Sequence, residues 1–117
     1  MNVFFDIQGT LISGGRPRPH AREVFQKLES LGHDLYLWSS AGGAYAANAA
    51  ELLGVKDVIL GCYSKTAPLP VRIDFVVDDQ PDFAEYHGGY TIPAFDGNPD
   101  DSELWRVVEA LQGTGTA

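Results

Sequence analysis

The pentapeptide Asp6-Ile7-Gln8-Gly9-Thr10 sets a carboxylate, a glycine turn and a hydroxyl directly after the apolar run Val3-Phe4-Phe5. A carboxylate at the carboxyl end of a buried strand lies where open α/β folds place their ligand sites. Further pieces follow the same logic. Ser39 comes straight after Leu35-Tyr36-Leu37-Trp38, with Ser40 competing for the same role. Lys65 precedes the next apolar run, and Asp78-Asp79, with Asp82 close behind, follows Phe75-Val76-Val77. Grouped carboxylates raise one another's pKa values unless a cation compensates them. Acids gathered from these segments therefore call for a metal ion. Each residue also has an ordinary structural role open to it. Asp6 can end a strand as a turn former, Ser39 can serve a turn, and Lys65 can be a solvated loop lysine. Asp78, Asp79 and Asp82 can sit at a helix N-terminus, where the dipole favours acids.

Positioning these groups requires a particular scaffold. The runs Val3-Phe4-Phe5, Leu35-Tyr36-Leu37-Trp38 and Phe75-Val76-Val77 are continuously apolar, as strands of a parallel sheet covered on both faces must be. Val58-Ile59-Leu60 reads as a fourth strand and Tyr90-Thr91-Ile92 as a weaker fifth at an edge. Helical spacing links Ala21, Val24, Phe25, Leu28 and Leu31, with Pro17 and Pro19 at the start and Gly32 past the end. An alanine-rich helix covers residues 44–53 and closes at Gly54. A last helix carries Leu104, Val107, Val108 and Leu111, entered through Asp101 or Ser102 and left at Gly113. These stripes read as core faces. Strands alternating with helices predict an α/β sandwich with right-handed crossovers. Residues 13–19 read as a mobile loop beside the end of the first strand, its Gly14 and Gly15 suiting a flap.

At 117 residues the chain is one domain, expected over residues 1–112 with residues 113–117 as a disordered tail. The net charge of −8 argues against sequence-independent binding to nucleic acid or to an anionic membrane, both of which want a basic patch. No apolar run approaches the roughly 18 residues of a membrane span, and the N-terminal residues lack a signal-peptide pattern. Cys62 is alone, so no internal disulfide framework exists and a cytoplasmic protein is the simplest expectation. His20 reads as an exposed helix-start residue, His33 and His87 as structural or surface residues; none shows metal-ligand spacing.

Taken in order, Asp6-Ile7-Gln8-Gly9-Thr10, Ser39, Lys65 and Asp78-Asp79-x-x-Asp82 resemble the four motifs of the haloacid dehalogenase (HAD) superfamily, over residues 3–95. The resemblance implies a Rossmann-like three-layer α/β/α sandwich with a mainly parallel five-stranded sheet and, from the short intervals between motifs, no cap domain. It implies that Asp6 attacks phosphorus and forms an aspartyl-phosphate, a recognised strategy for carboxylates. Gly9, Thr10, Ser39, Ser40 and Lys65 would bind the phosphoryl group. Asp6, Asp78 and Asp79 would hold Mg²⁺, with Gln8 contributing its backbone carbonyl and Asp82 supporting the shell.

The sequence departs from the family pattern at Gln8, where HAD phosphatases carry a second aspartate. That aspartate protonates the leaving group and then activates water. An amide does neither, and losing such help typically costs about 10²–10⁴ in rate. The expected activity is therefore a slow or specialised Mg²⁺-dependent phosphohydrolase favouring aryl or acyl phosphates. The alternatives are a catalytically inactive phosphate-binding or regulatory module and a different HAD chemistry. Dehalogenation does not need the Asp78-Asp79 pair, and phosphonate cleavage uses a cap-domain lysine. A receiver domain would place its acidic pair first rather than last. The resemblance leaves the phosphorylated substrate small or macromolecular and allows a homo-oligomer that closes the site.

Overall fold

The structure, a computed structural model, describes residues 1–114. Its centre is a parallel sheet of five strands, β1 (Asn2–Phe5), β4 (Asp34–Ser39), β5 (Gly61–Ser64), β6 (Phe75–Asp78) and β7 (Tyr90–Thr91). The spatial order is β5-β4-β1-β6-β7, so β1 lies between β4 and β6. Both neighbours of β1 are apolar and buried, which explains why its own run shows no polar alternation.

Side chains leave the sheet alternately and form two separate cores. Val3, Phe5, Leu35, Leu37, Phe75 and Val77 face one side. There they meet helices α1 (Ala21–Ser30), α2 (Gly43–Leu53) and α4 (Trp105–Thr114). Phe4, Tyr36, Trp38 and Val76 face the other side, under Leu69, Val71 and Ile73 of the segment that joins β5 to β6. Helix α3 (Pro81–His87) shares that side, with Phe83 and His87 edge-on to Trp38. The helix α2 buries Ala46, Ala49, Ala50 and Leu53, small side chains that let it lie close on β4 and β5. No helix among the described residues is long and apolar enough to cross a membrane.

Several sequence expectations are corrected. Val58-Ile59-Leu60 is not a strand; the edge strand is Gly61–Ser64. Val55 and Val58 are buried from a turn, whereas Leu60 is 63% exposed, so the apolar run reports core plugging before the strand. The true strand is only half-buried and carries Gly61, Cys62 and Ser64, which hide it from an apolar-run criterion. Leu31 is the C-cap of α1 and is exposed rather than part of its core face. The expected mobile loop is a hairpin of β2 (Ile12–Ser13) and β3 (Arg16–Pro17), paired antiparallel. Gly14 and Gly15 both take positive φ, as a tight two-residue hairpin turn requires. Helix α4 begins at Trp105, after a turn in which Asp101 accepts the Glu103 N–H, and it includes Gly113. Of the expected tail, residues 115–117 lie outside the described residues.

One buried ion pair ties these parts together. Arg18, on the chain just after β3, has a fully buried side chain that pairs with Asp101 through Nε and Nη2 at 2.9 and 3.0 Å. Its Nη1 donates to the Thr10 carbonyl at 3.1 Å, and the guanidinium lies over the Phe95 ring. Burial pushes the Asp101 carboxyl up, but hydrogen bonds from Arg18 and from the Glu103 N–H outweigh it and hold the group below its ordinary value. Removing one partner of such a pair typically costs about 3–5 kcal/mol, because the other charge is left buried. Arg18→Met should therefore lower the urea midpoint sharply, and a combined Arg18→Met/Asp101→Leu variant should recover much of the loss. An Arg18→Met midpoint equal to that of the parent would show that the pair does not hold the hairpin.

Candidate functional site

The carboxyl ends of β1, β4 and β6 converge on one edge of the sheet, and the chemistry-bearing side chains are found there. Asp6 follows β1 directly, its N–H bonded to the Val77 carbonyl of β6 at 2.9 Å. Beyond it the chain winds into a tight turn in which Thr10, Leu11 and Ile12 N–H groups all point at the Ile7 carbonyl. That turn returns the Thr10 hydroxyl to within 3.3 Å of Asp6 Oδ2 and 3.1 Å of Asp79 Oδ1. The Asp79 N–H donates to the same hydroxyl oxygen at 3.1 Å. Gly9 makes this possible on two counts. Its φ is +84°, and a Cβ there would lie 2.6 Å from Asp79 Oδ2. Any side chain at position 9 would displace the Asp79 carboxylate.

Lys65 holds the opposite side. Its Nζ bridges Asp6 Oδ1 and Asp78 Oδ2, each at 2.9 Å. The Lys65 side chain is 7% exposed and that of Asp78 fully buried. The lysine backbone is itself fixed, because its N–H donates to the Ser39 carbonyl at 3.0 Å. Phe83 and Trp38 flank the ammonium, with ring centroids 4.2 and 5.6 Å away, a cation–π arrangement that also limits water. Asp78 Oδ1 accepts the Gln80 N–H, which turns the chain into α3.

The sequence-predicted residues separate into those that meet and those that do not. Asp6, Asp78 and Asp79 offer carboxylate oxygens all within 4.8 Å of one another. Lys65 and Thr10 bond directly to members of that group. Ser39 is buried at the end of β4, its Oγ accepting the Ala41 N–H, which leaves the O–H as a donor. Ser40 lies in the turn just past β4 and is exposed, whereas Ser39 is the buried last residue of the strand. Asp82 is exposed in the first turn of α3 and stands outside the three-acid group. Gln8 is exposed and its Oε1 accepts a hydrogen bond from the Tyr45 hydroxyl of α2 at 3.2 Å. His20 is exposed, and His33 and His87 do not join the acidic group. Burial pushes the Cys62 thiol up, away from reactivity.

Sequence reasoning missed Tyr45, Arg18 and Phe83, and read Asp101 only as a possible entry to the last helix and not as the partner of Arg18. Tyr45 left one signal, being the lone aromatic among the alanines of α2. The partners of Arg18 lie too far along the chain for any spacing rule to find.

Three carboxylates face a single ammonium, and the electrostatics follow. Burial raises the Asp6 pKa to about 6; Lys65 opposes this, while Asp78 and Asp79 add to it. For Lys65, burial lowers the pKa, but hydrogen bonds to Asp6 and Asp78 outweigh it and the net direction is upward. Both partners of one ion pair are raised, because burial outweighs the lysine at Asp6 while two acids outweigh burial at Lys65. Oxygen donors so placed suit a hard divalent cation. The chain matches no protein-family model and no curated protein.

The raised Asp6 pKa carries a stability consequence. An acid whose folded pKa exceeds its unfolded value penalises folding once it is ionised in both states. The penalty is full above about 6 and is relieved as pH falls from there toward 3.8. In chelator-treated protein, Asp6→Asn should raise the melting temperature near pH 8, with the gain shrinking toward about pH 5. A variant less stable than the parent at both values would contradict this account of the site.

Proposed function

We propose that this chain is a Mg²⁺-dependent phosphohydrolase of the HAD type, built on a Rossmann-like core without a cap domain and acting through an aspartyl-phosphate at Asp6. The observation that carries the reading is the meeting of Asp6, Lys65, Asp78 and Asp79 at the carboxyl edge of adjacent parallel strands. Phosphoryl transfer needs an in-line nucleophile and compensation of charge on the phosphoryl oxygens. Asp6 is the nucleophile, Lys65 and the Ser39 hydroxyl supply charge and hydrogen bonds, and Thr10 orients Asp6 and Asp79. Asp6, Asp78 and Asp79 would hold Mg²⁺, which when bound neutralises charge on the phosphate.

In the first step an Asp6 oxygen forms a bond to phosphorus while the bond from phosphorus to the leaving oxygen breaks. The electron pair departs with that oxygen. Gln8 can offer a hydrogen bond but no proton, so good leaving groups are favoured. In the second step water attacks phosphorus, the bond to Asp6 breaks and phosphate is released, with the water proton passing to solvent. No general base assists, so the phosphoenzyme persists. Gln8 also favours a second reading, a module that binds a phosphoryl group without turnover.

Mixed with phenyl phosphate and Mg²⁺, the protein should release a burst of about one equivalent of phenol per chain, followed by slow turnover. Asp6→Asn should abolish both phases, and Gln8→Asp should raise the steady rate by about 10²–10⁴. Saturable binding of a phosphate analogue with no burst would favour the binding module instead.

A further inference from the structure

A cavity of about 210 Å³ lies beside the acidic site, between the β2–β3 hairpin and α2. Gln8 is part of its wall, joined by Ile12 and Gly15 from the hairpin and by Tyr45, Asn48 and Leu52 from the helix. We infer that this cavity receives the leaving group, and that it selects an uncharged, ring-sized one, making aryl phosphate monoesters the substrate class. The inference rests on the phosphohydrolase reading and deepens it.

Three observations carry it. The first is position. Gln8 follows Asp6 by two residues, and its amide is held toward the cavity by the Tyr45 hydroxyl at 3.2 Å. That bond occupies Oε1, leaving the Nε2 donors for an oxygen departing from phosphorus. The second is size. The volume exceeds the roughly 150 Å³ of an apolar cavity that holds benzene and falls short of the roughly 300 Å³ where ordinary small-molecule pockets begin. The third is charge. No wall residue is ionisable at neutral pH, so a carboxylate or second phosphate would meet no counter-ion there. The wall instead offers apolar surface from Ile12 and Leu52 together with the amides of Gln8 and Asn48. The chemistry agrees. Without an acid at position 8, a phenol, with a pKa near about 10, leaves far more readily than an alkyl alcohol. The phenolate takes the electron pair of the broken phosphorus–oxygen bond and gains its proton from solvent.

The test compares phenyl phosphate, 4-carboxyphenyl phosphate and acetyl phosphate under Mg²⁺, in the parent, Leu52→Trp and Asn48→Lys. Acetyl phosphate has too small a leaving group to fill the cavity but forms the same phosphoenzyme. Leu52 is 52% exposed, so tryptophan there can be accommodated without disturbing the core. Leu52→Trp should lower kcat/KM for phenyl phosphate by about tenfold or more, leaving acetyl phosphate within about twofold. Parent protein should discriminate against the carboxylated substrate, and Asn48→Lys should reduce that discrimination. If acetyl phosphate turnover persists while phenyl phosphate is indifferent to Leu52→Trp and the carboxylate is accepted equally, the cavity assignment is overturned alone. If no substrate gives Asp6-dependent turnover, the phosphohydrolase reading falls and takes this assignment with it.

Discussion

The arrangement depends on one ammonium group shared by two carboxylates. Lys65 Nζ lies 2.9 Å from both Asp6 and Asp78, and so ties the ends of the adjacent strands β1 and β6 to the loop that leaves β5. Without it, Asp6, Asp78 and Asp79 would be like charges in a low-dielectric setting, and one or more would have to take up a proton or move apart. The lysine gains its place from the sheet. Its own N–H is bound to the Ser39 carbonyl, and Ser39 pairs in register with Ser64, so the position of the ammonium is set by strand pairing. Phe83 and Trp38 then wall it in from the face opposite the helices α1, α2 and α4.

A second charge cluster supports the first from below. Arg18 binds the Thr10 carbonyl with one arm and Asp101 with the other two donors. Thr10 in turn orients Asp6 and Asp79 through its hydroxyl. The Gly9 carbonyl accepts the Phe95 N–H at 2.8 Å, and Phe95 lies beneath the Arg18 guanidinium. The turn after β1 is thus gripped by the chain between β7 and α4, which contributes nothing to the acidic group itself. If Asp6 is the nucleophile proposed above, such supporting contacts would matter, because small errors in position carry large costs in rate.

The parts legible in the sequence were those where one local rule decides. Val3-Phe4-Phe5, Leu35 to Trp38 and Phe75-Val76-Val77 are buried on both faces, and continuous apolarity reports that directly. The gathering of Asp6, Asp78 and Asp79 was legible because strand ends in a parallel sheet share one edge, whereas Lys65 was placed with them only by the resemblance to HAD motifs. The edge strand Gly61–Ser64 was not, since a half-buried strand needs no apolar run and the nearby Val58 fills the core from a turn. The β2–β3 pairing around Gly14 and Gly15 was not read from the sequence, because two-residue strands carry no apolar run or alternation that would announce them. Asp82 followed the acidic motif in sequence yet lies outside the group, because the helix that begins at Pro81 rotates it to the surface.

At the acidic edge like charges are buried together against their own electrostatics. Functional sites are where such conflicts are retained. Gln8 bears on this conflict directly. A fourth carboxylate at position 8 would add negative charge close to an Asp6 whose pKa already stands at about 6. A neutral amide avoids that addition and accepts a hydrogen bond from Tyr45 that orders it against α2. On the phosphohydrolase reading proposed above, an amide at position 8 also leaves no carboxylate there to carry protons in either half-reaction. On that reading, position 8 would couple the electrostatic load on Asp6 to the proton chemistry of the leaving group. The proposed chemistry would then favour leaving groups that need no proton, the kind inferred to enter the uncharged cavity that Gln8 lines.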